Sequence, residues 1–138
     1  MHKHSSVFLT LTLFFWVSTG ITAEVIEFSG EYVLRTDEIS QDILGNQVCF
    51  LPTPETADRA PRNKNDKRLV WFCFSNNESA MNVLSISGVS QGGGCGFRGT
   101  AEVRVSKYVV YRGEGDGNDR AELVSAKAIS IPSVIPCE

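Results

Sequence analysis

"TAEVRVSKYVVY", residues 100 to 111, alternates apolar and polar side chains and then changes parity: Ala101, Val103 and Val105 share one face, whereas Tyr108 and Val110 fall on the other. Successive side chains of a strand point to opposite faces, so a strand keeps one parity unless an extra residue is inserted. The slip at Ser106-Lys107 predicts a long strand carrying a bulge or a sharp coil, a feature that bends a sheet and raises its twist.

Other β-like runs lie around this one. "VIEFSGEYVL", 25 to 34, alternates with Gly30 interrupting it, which reads as a strand with a bend, and "QVCFL", 47 to 51, is a second short run. "LVWFCF", 69 to 74, is apolar throughout and suits a central strand buried on both faces, with Trp71, Phe72 and Phe74 read as core. "AELVSAKAISI" supplies the last strand, ahead of Pro132 and an extended tail that ends at Cys137 and Glu138. "RTDEISQDILGN", 35 to 46, is either a turn with a short helical piece or a continuation of the strand pair. In "SNNESAMNVLSISG", 75 to 88, Asn76 or Asn77 caps a short helix with Ala80, Met81 and Leu84 inward, an irregular strand being the alternative. The expectation is a mainly β fold: a small five- to six-stranded barrel of the OB type, with at most one short helix placed between the third and fourth strands. A β-sandwich is the alternative.

The amino terminus reads as an export signal. Lys3 precedes "VFLTLTLFFWV", eleven residues without a charge, and Ile21-Thr22-Ala23 is a plausible cleavage site. Residues 1 to 23 are therefore expected to be removed, leaving one domain over 24 to 138. The apolar run is too short to span a bilayer, so no stable membrane insertion is expected. Of the 13 basic and 16 acidic residues, only Lys3 falls in the signal, so the remaining domain carries 12 − 16 = −4. This mild acidity gives no reason to expect nucleic acid as a partner. Both histidines, His2 and His4, leave with the signal, which removes Ser-His-Asp, Cys-His and His-metal chemistry from consideration. A non-enzyme is expected, although a hydrolase using two carboxylates is not strictly excluded.

All four cysteines, Cys49, Cys73, Cys95 and Cys137, follow the signal, and their spacing is nothing like the C-x-x-C pairs of a zinc site. Export to an oxidising compartment, periplasmic or secreted, implies two disulfides. Three pairings exist; Cys49 with Cys73 and Cys95 with Cys137 is favoured, because Cys49 and Cys73 share the pattern apolar-Cys-Phe in what should be neighbouring strands.

Gly94-Cys95-Gly96-Phe97-Arg98-Gly99 matches the dinucleotide spacing G-x-G-x-x-G, but "TAEVRV" follows where a helix is required. The stretch reads as a glycine-rich corner fastened by a disulfide. Residues 52 to 68 hold three prolines, five basic residues and three acids with no hydrophobic period, and read as a long exposed loop. Its cations Arg59, Arg62, Lys64, Lys67 and Arg68 are candidate binding residues. The acidic loop around Glu114, Asp116 and Asp119 is the second candidate surface. Aligned to an EF-hand loop from Glu114, it has Asp119 where Gly is needed and Ser125 where Glu is needed, so no metal is expected there. No cofactor is expected either. Asn77-Glu78-Ser79 is a glycosylation acceptor only in a eukaryotic source, and a Gram-negative periplasm is the favoured setting.

Together these features suggest a non-catalytic exported interaction domain of the cell envelope, for example an inhibitor or immunity protein whose partner is an envelope protein or an exported toxin or enzyme. The alternative is a barrel that binds an oligosaccharide, a peptide or an anionic lipid head group.

Overall fold

A computed structural model describes residues 24–86, 94–115 and 117–138. The expected signal over 1–23, Gly92 and Gly93 of the glycine stretch, and Asp116 lie outside the described residues.

The chain is mainly β. Six strands form one mixed sheet: β1 (Ile26–Arg35), β2 (Cys49–Pro52), β3 (Phe72–Phe74), β4 (Gly96–Val109), β5 (Asp119–Lys127) and β6 (Ser133–Val134). The order is β1-β2-β3-β5-β4-β6, and β1 also pairs with β4 along its full length, from Ile26↔Val105 to Arg35↔Gly96. Five strands thereby form a ring in which every pairing is antiparallel except β3 with β5, which is parallel over Phe72↔Asp119 to Phe74↔Ala121.

The ring depends on β4 serving different partners. Its register with β5 shifts between Arg104 and Val105 and again between Ser106 and Val109, and Lys107 adopts φ 51°. This is the irregularity that the parity slip at Ser106-Lys107 predicts, and it sends Tyr108 inward where an unbroken alternation would not. Gly30, expected to bend β1, is the point at which β2 joins it, opposite Pro52.

Among the described residues there are three short helices where at most one is expected: α1 (Glu38–Leu44), α2 (Pro54–Ala57) and α3 (Asn77–Val83). Only α3 lies between the third and fourth strands, at the expected place. The segment 35–46 resolves as a helix because Asp37 caps it: Asp37 Oδ2 accepts from Ser40 N at 3.1 Å and from Ser40 Oγ at 2.8 Å, and Gly45 ends it at φ 63°. α2 opens on Pro54 at its first turn, inside the segment expected to be a featureless loop, and buries Thr56.

Asn76 occupies the cap position of α3, where its carbonyl accepts from Ala80 N at 3.0 Å but its side chain makes no bond to the helix. Its amide instead pairs with β5 as a strand would, Nδ2 donating to Leu123 O at 2.9 Å and Oδ1 accepting from Leu123 N at 2.8 Å. The side chain thus continues β3 by one pairing step beyond Phe74. Asn77 does the same on the other flank, accepting from Val48 N and donating to Asn46 O, each at 2.7 Å. The nitrogen that would carry a glycan is therefore already bonded.

The core fills the ring. Phe28 and Tyr32 from β1, Phe50 from β2, Phe72 and Phe74 from β3 and Val103 and Val105 from β4 are all buried, together with Ala80 of α3 and Leu84, which ends that helix. Phe72 is central: ring centroids of Phe28, Phe50, Phe74 and Tyr108 lie 5.3–5.6 Å from its own. Two disulfides, Cys49–Cys73 and Cys95–Cys137, crosslink the fold in the favoured pairing. The first joins directly opposed residues of β2 and β3. Two bridges fit an oxidising compartment. Among the described residues no helix is long and apolar enough to cross a membrane.

Candidate functional site

The two loops singled out for their opposite charges meet at one end of the ring. Asp119, at the start of β5, is fully buried and accepts three hydrogen bonds, from Arg62 Nε at 2.9 Å and Tyr108 Oη at 2.6 Å on Oδ2 and from Tyr111 N at 2.8 Å on Oδ1, while Arg62 Nη2 lies 2.9 Å from Oδ2 in the ion pair. Arg62 is itself only 7% exposed and reaches on to Arg68 O at 2.8 Å. Arg68 forks onto Asp66 at 2.9 and 2.7 Å and donates to Tyr111 O at 2.8 Å. Arg62, Arg68 and Asp119 therefore tie the loop before β3 to the loop before β5. Arg59 is exposed and donates to Glu27 O at 2.9 Å. Lys64, Lys67 and Glu114 are exposed to solvent.

This network sets the pH response. Burial first, and then the bond donated to Asp119, hold the Tyr108 hydroxyl protonated well above its ordinary value. Burial likewise raises Tyr32, whose hydroxyl donates to Ser130 O at 2.9 Å. Tyrosines in the unfolded chain release their protons near pH 10, and Tyr108 in the folded domain does not. Above that pH the unfolded state binds fewer protons, so the contribution of Tyr108 to stability is full below about pH 10 and is lost progressively above it. Urea melts between about pH 9 and pH 11 are expected to show this decline, with a shallower slope in Tyr108→Phe. On the acid side the forked bond from Arg68 holds Asp66 below the usual carboxylate range, so its contribution is lost as pH falls below about 4.

A different surface has the shape of a binding site. Beside β1, β2 and the approach to β3, a groove of about 220 Å³ is lined by Val33, Cys49, Phe50 and Leu51 of the strands, by Leu44 and Gly45 at the end of α1, and by Leu69 and Trp71. Arg35 and Gln47 supply its polar side chains. Strand alternation turns Tyr32, Leu34 and Phe50 toward the core, which leaves Val33 and Leu51 facing outward. Outward residues of a sheet facing water are normally polar, as Glu31 and Arg35 are here, whereas Val33 between them and Leu51 opposite Glu31 are aliphatic. Leu69 is 69% exposed, which corrects the expectation of a strand buried on both faces over 69–74: β3 spans only Phe72–Phe74, and Trp71 lines the groove instead of the core.

Sequence reasoning missed this site because apolar residues facing outward are read as core when they adjoin true core residues. The available signal was the length of the run "LVWFCF", twice what its three-residue strand needs.

The chain matches no protein-family model, no curated protein sequence and no solved structure.

Proposed function

We propose that this chain is a non-catalytic, exported domain with an OB-like barrel, and that it binds a protein partner through the groove over β1, β2 and Trp71. The observation that carries this reading is the mainly apolar groove formed by Val33, Leu44, Leu51, Leu69 and Trp71 outside the aromatic core. An exposed apolar concavity on a small domain marks an interaction site.

The OB comparison is supported by the closed pairing β1-β2-β3-β5-β4-β1, the parallel β3–β5 contact and the placement of α3 between β3 and β4. In OB-folds the face of strands 2 and 3, flanked by the loops after strands 1 and 4, is the one that takes ligands. The groove here is lined by β1, β2, the end of α1 between them and the residues just before β3, which overlaps that face at β2 and at the loop after β1. A polypeptide fits it better than an oligosaccharide or a lipid head group, which require a dense set of donors and acceptors that Arg35 and Gln47 alone do not make. An inhibitor or an immunity protein of the envelope is the class of function that this size, this crosslinking and the absence of histidine after His4 suit.

Leu69→Asp places a charge in the groove at an exposed position, so it is expected to leave the melting temperature within about 2–4 °C of the parent while abolishing capture of the partner from an envelope extract. Charge reversal at Lys64 or Glu114 is expected to leave capture intact. Unchanged capture by Leu69→Asp, or loss of capture on reversing Lys64 or Glu114, would return the contact surface to the charged loops.

A further inference from the structure

We propose that the groove takes a segment of a protein partner that inserts one bulky apolar side chain against Trp71 and Leu69 and sets an Asp or Glu side chain on Arg35. The inference rests on the groove being the binding site and specifies what it recognises.

The size of the groove decides the first half. At about 220 Å³ it is smaller than the roughly 300–1,000 Å³ clefts that hold small-molecule ligands. It suits a single large side chain, the kind of anchor that dominates a protein interface. The surroundings of the groove extend the apolar surface. α1, whose last residue Leu44 walls the groove, has no buried residue, and its Ile39 and Ile43, one turn apart, are each 75% exposed. A seven-residue helix is too short to be held by its own hydrogen bonds, so apolar side chains repeated at this spacing imply a surface that packs on them. A partner anchored in the groove has that helix beside it.

Charge decides the second half. Arg35 is exposed on the groove, and no carboxylate lines it. Asp37 feels the guanidinium, but its carboxylate caps α1 through Ser40, and among the described residues no ion pair involves Arg35. Lys67, two residues before Leu69, is likewise exposed and makes no ion pair among the described residues. A guanidinium beside an apolar anchor site selects a carboxylate, which it binds through a two-pronged fork. The complementary ligand is therefore apolar and acidic in adjacent positions.

A random peptide library displayed on phage and panned against the disulfide-bonded domain tests this. The expected winners carry Phe, Leu, Met or Trp within two residues of Asp or Glu. Trp71 is the only tryptophan after Trp16, so its fluorescence reports their binding directly. Leu69→Asp is expected to abolish the signal. Arg35→Glu is expected to weaken binding by about tenfold or more, and a peptide with Lys in place of its acid is expected to recover affinity for that variant. Winners without an acid, or equal affinity for Arg35→Glu, would overturn the carboxylate assignment while leaving the groove as the site. No winner that perturbs Trp71 would overturn both. A dimer seen by sedimentation and dissolved by Leu69→Asp would assign the groove to a second copy of the chain and overturn the proposal in that direction.

Discussion

Asp119→Asn is expected to destabilise the domain by about 3–5 kcal/mol, a melting-temperature fall of roughly 10–20 °C. The substitution keeps the volume and removes the charge. It leaves the Arg62 side chain, 7% exposed, without its close counterion, with only Asp66 at 3.9 Å, which Arg68 already engages at 2.7 Å. The amide of asparagine also turns an acceptor into a donor, so at least one of the bonds from Arg62, Tyr108 and Tyr111 N loses its partner. Removing one member of a buried pair is far more costly than the pair itself is worth, because desolvation has already offset most of the attraction. The control follows: Arg62→Met combined with Asp119→Asn is expected to recover part of the loss, since no uncompensated charge remains. Chemical denaturation of the two single variants and the double variant measures the coupling. A loss below about 1 kcal/mol for Asp119→Asn, or strict additivity in the double variant, would contradict the buried-pair account. Partner capture is a poor readout at these two positions, because a variant that unfolds also fails to bind.

The pair also shows where sequence reading stops. Arg62 and Asp119 are 57 residues apart, each within a polar segment rich in Gly, Pro, Asn or charge, and nothing local distinguishes a solvated charge from one that folding buries. The bulge in β4 was legible because parity is a local rule: Val105 and Tyr108 cannot both face inward along a regular strand. The pairing of Cys49 with Cys73 was legible because identical flanking patterns place both residues at equivalent points of adjacent strands, where they are directly opposed. The caps were half legible. Asn76 and Asn77 sit at the start of α3 as expected, yet their amides bond to β5 and to the chain before β2, choices made by tertiary neighbours. Trp71 misled for the opposite reason, since its local pattern was that of a core residue and only the shortness of β3 turns it outward.

Replacing Cys95 and Cys137 together by serine is expected to cost about 4 kcal/mol, the chain-entropy value for a loop of this size. The bridge joins residues 42 apart and ties the carboxyl-terminal tail to the start of β4. The same junction is bonded through the backbone: Cys95 N donates to Ile135 O at 2.8 Å, Ile135 N donates to Gly96 O at 2.8 Å, and Ile135 is buried. Gly96 holds φ 143°, and a Cβ there would strike Leu34 O; a Cβ at Gly94 would strike Val134. The glycines of the G-x-G-x-x-G pattern thus let two chain segments close on β4, and the strand that follows leaves no helix terminus for a phosphate. Because the bonds of β6 and Ile135 survive the substitution in the folded state, the loss should come mainly from the freer unfolded chain, and amide exchange at Cys95 and Ile135 should move toward the global unfolding rate without vanishing protection elsewhere. Retained stability in the double-serine variant, or a free Cys95 thiol in oxidised protein, would show that the tail is held by its backbone bonds and by Ile135, with the crosslink adding nothing.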